Sequence, residues 1–251
     1  MKKLILFACA LCMSVCAMAQ SEFYVYKKGG RGVPFTIADV DSISFTAPTT
    51  GIAYGHEWVD LGLSVKWATC NVGATAPEEY GNYYAWGETE PKRYYDSDTY
   101  KWCNGSSCTL TKYCTSSSKG TVDNKTVLEI FDDAACRNWY SKWRMPTNEE
   151  WQELIDNCIW TWISDYNGTG VAGRIVTSNI NGNSIFLPAA GCRSGNGYSP
   201  YSLGYYGYYW SSSLYTDNPY LAWYVSFSSG NVKRDNVSRV YGHSVRPVLG
   251  E

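Results

Sequence analysis

The nine residues WRMPTNEEW, Trp143 to Trp151, announce a helix and the face it buries. Thr147 is a good N-cap, and Glu150, three residues on, can reach back to the Thr147 backbone N–H to close a capping box. Trp151, Leu154, Ile155 and Cys158 then fall at i, i+3, i+4 and i+7. That spacing makes one apolar stripe of about 100° that must face a core. The expected partners of the stripe are strands carrying Trp67 and Trp210.

Moving outward, Asp132 is placed to cap an earlier short helix through DDAACRNWY. After Cys158 the pattern turns to β, with strands expected at Arg174 to Thr177, Ser184 to Leu187, Tyr208 to Ser212, Ala222 to Phe227 and Gly230 to Lys233. Helices in the first half and strands in the second predict an α+β class: two short helices with mostly antiparallel strands. Glu57 to Ala68, EWVDLGLSVKWA, reads as two short β runs around Gly62 that open the main domain. Glu88 to Gly120 is a long polar, cysteine-bearing insertion, and such loops are usually functional or disordered. Further upstream, Glu22 to Thr46 reads as a small β module built from FYVY, a Lys27-Lys28-Gly29-Gly30 turn and two later runs. The Pro, Thr and Gly of APTTGIAYG, Ala47 to Gly55, read as a linker.

Residues 1–19 carry Lys2 and Lys3, a short apolar run and Ala17-Met18-Ala19, the signature of a secretory signal peptide. The division expected is therefore 1–19 signal peptide, 20–48 β module, 49–55 linker and 56–250 main domain, secreted or held at the outer cell surface. No stretch of about 20 apolar residues is present, so no membrane-spanning segment is expected. Net charge is −2, which offers no basic field for a phosphate backbone, and nucleic acid is excluded as a partner. Tyr (22) and Trp (11) are abundant, and exposed rings of this kind make good contact residues. Removing Cys9, Cys12 and Cys16 with the signal leaves Cys70, Cys103, Cys108, Cys114, Cys136, Cys158 and Cys192, so at least one thiol stays free or pairs between chains. One local disulfide among Cys103, Cys108 and Cys114 is open; the other four read as small buried hydrophobes.

Five sequence words stand in order: YYAWGE (Tyr83 to Glu88), WRMPTNEEW, SIFLPAAG (Ser184 to Gly191), YWSSS (Tyr209 to Ser213) and GHSVRPV (Gly242 to Val248). With them the chain resembles the Fibrobacter succinogenes major paralogous domain (FISUMP) proteins, common among secreted proteins of gut Bacteroidetes, over roughly residues 55 to 249. The resemblance implies a C-type-lectin-like fold, related distantly to formylglycine-generating enzymes, and no known ligand. It also implies that Ser244 to Val248 lies beside the first strand.

Parts for catalysis are few. His56 and His243 are the two histidines, and neither H-E-x-x-H nor G-x-S-x-G occurs. Glu149, Glu150, Asp132 and Asp133 are explained by helix dipoles. The cysteine pair of the distant enzymes has no counterpart, since Cys192 alone follows Cys158. No catalytic residue, metal ligand or cofactor is therefore expected. The function expected is a non-catalytic recognition or adhesion module for a protein or glycan ligand; the alternatives are an enzyme of the formylglycine-generating group and a structural adhesin subunit. The candidate ligand residues lie between the scaffold-like words of the C-terminal segment: Tyr215, Asp217, Asn218, Tyr220, Tyr224, Asn231, Lys233, Asp235, Asn236, Tyr241 and His243. Tyr gives a rigid stacking area with a polar tip, and Asn both donates and accepts. Apart from Lys233 these residue types are reachable from an Asn codon through its adenines, as in retroelement-diversified proteins; a fixed ligand site is the simpler expectation. Both versions predict that these side chains point outward.

Overall fold

The structure is a computed structural model that describes residues 22–26, 32–36, 49–140, 142–195 and 199–250. The expected signal segment and the run Ser42 to Thr46 lie outside the described residues. The chain divides into two compact units, Met1–Ala47 and Pro48–Glu251. In the first, β1 (Glu22–Tyr26) and β2 (Gly32–Thr36) pair as an antiparallel hairpin, with Tyr24 opposite Pro34.

The second unit is mixed but dominated by strands. β3 (Thr50–Ala53), β4 (His56–Val59) and β5 (Lys66–Ala68) run antiparallel side by side. The stretch read as a linker therefore supplies an edge strand. Gly51 and Ala53 dilute the strand signal of Thr50 and Ile52; pairing of Ile52 with Glu57 and of Gly51 with Trp58 makes it a strand. α1 (Ala134–Trp139) follows a 3-10 turn at Ile130–Asp132, and Asp133, not Asp132, caps it, accepting from the Ala135 and Cys136 amides. Asp132 is taken elsewhere: its carboxylate binds Lys112 Nζ and the Tyr113 hydroxyl. β6 (Trp143–Arg144) leads into α2 (Asn148–Asn157), where both halves of the Thr147–Glu150 capping box are formed.

α2 gives way directly to β7 (Cys158–Ile163), a strand additional to those expected, which forms a meander with β8 (Gly173–Ser178) and β9 (Ser184–Pro188). The third sheet is β10 (Gly207–Leu214), β11 (Leu221–Phe227) and β12 (Val232–Ser238), and β13 (Val248–Leu249) ends the fold. β13 sits between β5 and β6, antiparallel to both, so the first long strand region and the last meet.

Trp151 and Leu154 are fully buried and Ile155 partly so, in a core with Trp67, Tyr209, Val225, Phe227 and Val248. The Trp67 and Trp151 rings lie 4.8 Å apart, and Trp151 Nε1 donates to the Trp210 carbonyl at 3.2 Å. A second core gathers Trp86, Tyr113, Trp143, Trp210, Leu214 and Ala222.

The insertion Glu88 to Gly120 is held by a third core, in which its Tyr95, Tyr100, Cys103, Leu110 and Cys114 pack with Tyr83, Ala85 and Val240. Its closing turn needs glycine: at Gly120 (φ +148°) any Cβ would stand 2.1 Å from the Leu110 carbonyl oxygen. All seven cysteines from Cys70 onward are free thiols, and Cys103 and Cys114 donate to the carbonyls of Ser97 and Ser116. No helix among the described residues is long and apolar enough to cross a membrane.

Candidate ligand groove

Side chains alternate across a strand, so register decides which residues of the β10–β11–β12 sheet share a face. On one face three rows follow from the pairing. Leu214, Ala222 and Val237 form the first, Trp210, Tyr224 and Asp235 the second, and Tyr208, Ser226 and Lys233 the third. A register shift between Trp210 and Leu214 is absorbed by the serines of YWSSS: Ser211 Oγ donates to the Trp223 carbonyl and accepts from the Ser213 amide. The opposite face, with Tyr209, Val225 and Phe227, rests on α2 and its core.

The three rows differ in what covers them. Leu214 and Ala222 pack into the core with Trp86 and Tyr113. Tyr208, Ser226 and Lys233 instead line an open groove of 550 Å³, together with Tyr206, Tyr224, Ser228, Gly230 and Asn231. The Tyr206 and Tyr208 rings are stacked, 5.8 Å apart and 16° from parallel, and Tyr224 lies 6.0 Å beyond Tyr208. On the polar side Lys233 Nζ binds Asp235 Oδ2 at 2.6 Å, and the Ser228 hydroxyl meets Asn231 Oδ1 at 3.1 Å. The bond to Asp235 holds the Lys233 ammonium above the usual lysine range. Burial pushes the Tyr224 phenol up to about 12, so it stays a neutral hydroxyl.

Behind the tyrosines sits His243, 2% exposed, and here the expectation of an outward side chain is corrected. Its ring stacks on Trp210 at 4.2 Å and lies 5.1 Å from Tyr224 and 5.5 Å from Tyr208. Its backbone pairs with Tyr84 on both sides, which fixes the ring inside. Burial lowers its pKa to about 3, and Nδ1 has no hydrogen-bond partner.

The eleven expected ligand residues thus do not share one surface. Tyr224, Asn231 and Lys233 line the groove and Asp235 anchors Lys233. Tyr215, Asp217, Asn218 and Tyr220 belong to the loop between β10 and β11, at the other end of the sheet. There Tyr215 stands edge-on to Trp223, and the Tyr220 hydroxyl meets Ser97 Oγ at 2.8 Å. Tyr220 and Tyr241 pack against the core of the insertion. Asn236 pairs with Trp223 in register and so belongs to the opposite face. The residues that sequence reasoning left out are Tyr206, Tyr208, Ser226, Ser228 and Gly230. The alternation of Tyr208 with Trp210, and of Ser226 with Tyr224, was the signal that would have joined them.

The two histidines have separate surroundings, since His56 stacks on Trp139 at 3.7 Å. Among the described residues no three His, Cys, Asp or Glu side chains gather as a metal site. Burial raises three of the thiols, Cys192 and Cys158 to about 11 and Cys136 to about 12.

Residues 174–248 match the family described as Domain of unknown function (DUF8237), a stretch that runs from β8 to β13 and takes in the whole groove. No curated protein and no solved structure matches the chain.

Proposed function

We propose that this chain is an exported recognition module of C-type-lectin-like, FISUMP type, which binds its ligand without chemistry through the C-terminal sheet. The observation that carries the reading is the groove: three tyrosines on one face of the sheet, interleaved with Ser226, Ser228, Asn231 and Lys233, whose ammonium is bound by Asp235. Binding sites combine aromatic surface with placed polar groups; here three of the eight lining residues are tyrosines and most of the others are polar, and 550 Å³ falls within the roughly 300–1,000 Å³ usual for such sites.

The chemistry around the groove supports binding over catalysis. A nucleophilic cysteine needs a lowered pKa, and Cys192 is raised to about 11. A general base works best with a pKa near the working pH, and His243 at about 3 is far below it. A screen of the purified chain for hydrolase and oxidase activity is expected to find no turnover. Robust turnover lost on Cys192→Ala or His243→Gln would replace this reading with the formylglycine-generating alternative.

A further inference from the structure

The groove has a charge balance and a shape that narrow its ligand. Lys233, the cation of the lining, is already matched by Asp235 at 2.6 Å, so the site has no spare charge for a phosphate, sulfate or carboxylate. Its remaining polar groups are phenols, serine hydroxyls and one primary amide, each able to donate or to accept. Ligand hydroxyls, which also do both, pair with such groups in either sense. The near-parallel Tyr206 and Tyr208 rings present electron-rich faces, which attract weakly positive C–H groups. A protein partner would ask for something else. Stable protein interfaces take about 20–30 residues on each side, whereas eight residues line this groove at one end of a three-stranded sheet. The β12 edge that flanks it carries Lys233, Arg234 and Asp235, charges that discourage strand addition.

We propose that the groove binds a neutral carbohydrate, a short oligosaccharide whose C–H faces lie on Tyr206 and Tyr208 and whose hydroxyls meet Ser228, Asn231 and the Lys233–Asp235 pair. This rests on the reading of the groove as the ligand site.

The test is an array of neutral oligosaccharides of the gluco-, galacto-, manno-, xylo- and N-acetylhexosamine series, probed with the full chain beside heparin, polygalacturonate, collagen and casein. Binding to at least one neutral series is expected, weakened about tenfold or more by Tyr206→Ala and by Asn231→Ala with an unchanged melting temperature. Tyr206→Phe, which keeps the ring, should retain most of the binding. Groove-dependent binding only to the anionic polysaccharides or the proteins would overturn the assignment to a neutral carbohydrate and leave the recognition module standing. Binding nowhere sensitive to the groove variants would sink both.

Discussion

The two ends of the β10–β11–β12 sheet use the same kind of side chain for opposite purposes. At the sealed end tyrosines are mortar. Arg239 is buried there and donates to the Tyr100 hydroxyl and to the carbonyls of Tyr113, Pro219 and Lys112, with Trp86 under its guanidinium at 4.8 Å. At the open end Tyr206, Tyr208 and Tyr224 have no such cover, and Tyr206 keeps 41% of its surface exposed. The difference lies in the insertion Glu88 to Gly120, whose core takes in Tyr220, Val240 and Tyr241 and none of the groove tyrosines. A tyrosine-rich strand therefore says little about binding until the loop that covers it is placed.

Breaking the sealed end should cost most. Arg239 has no carboxylate among its partners, so Arg239→Ala leaves several buried oxygens without a donor. A loss of about 3–5 kcal/mol is expected by urea unfolding, since each buried oxygen left without its donor costs about 1–3 kcal/mol. A drop below about 1 kcal/mol would mean that the third core holds the insertion without the Arg239 hydrogen bonds. Trp151→Ala strikes the open end from beneath, since Trp151 packs on Trp67 and Tyr209, and should cost about 3–5 kcal/mol. An unaltered melting temperature would show that α2 does not support this sheet.

What the sequence made legible was local. Thr147 and Glu150 are three residues apart, so the capping box and the buried Trp151–Leu154 stripe depend on nothing distant. Apart from β7, which was not expected because Cys158 was read as part of the helix stripe, the strands of the second half were visible through alternation and differ from the expectation mainly at their ends, most of all β12, which continues to Ser238. The misses share a cause. Whether Asp132 or Asp133 caps α1 turns on Lys112, some 20 residues earlier, which claims Asp132. Thr50–Ala53 becomes a strand because His56–Val59 offers it an edge. His243 reads as one more polar residue in a polar run, and its burial depends on Tyr84 and Trp210. The candidate site was half legible: the segment was right and the faces were mixed, because register sorts Tyr224 from Trp223 and Asp235 from Asn236.

His243 lies at the boundary between the two ends and gives the comparison a pH axis. Burial lowers its pKa to about 3 in the folded state, against about 6.5 when unfolded. Between those values the unfolded chain binds the extra proton, so stability falls as pH drops from 6.5 toward 3, by up to about 1.4 kcal/mol per pH unit. Asp133 works in the other direction: burial raises it to about 6, so its protonation favours the fold between 6 and its ordinary value. Comparing unfolding free energies of the parent chain and His243→Gln across pH 7 to 4 cancels the Asp133 contribution. Parallel curves would refute the burial of a neutral imidazole.

Around the sealed end, graded losses are expected. Tyr220→Ser breaks the contact with Ser97 and, like Tyr241→Ser, takes a half-buried ring from the third core, for about 1–3 kcal/mol each. Tyr215→Ser and Asn236→Ser should each stay within about 0.5 kcal/mol. Equal effects at all four positions would mean that the insertion does not set the boundary.

The smallest effect is the most telling for function. Tyr206 is stacked on one neighbour and otherwise open, and Asn231 is exposed on the turn between β11 and β12, hydrogen-bonded to Ser228. Neither joins a core cluster, so Tyr206→Ala and Asn231→Ala should each change unfolding free energy by no more than about 0.5 kcal/mol. Such neutrality is what separates a ring kept for contact from a ring kept for packing. Tyr100 and Tyr113, buried under Arg239, would fail the same test by several kcal/mol, since each leaves a cavity and an unpaired polar group. If Tyr206→Ala destabilised the chain as Tyr100→Ala does, the open end would be structural like the sealed one, and the groove would lose its claim to a ligand.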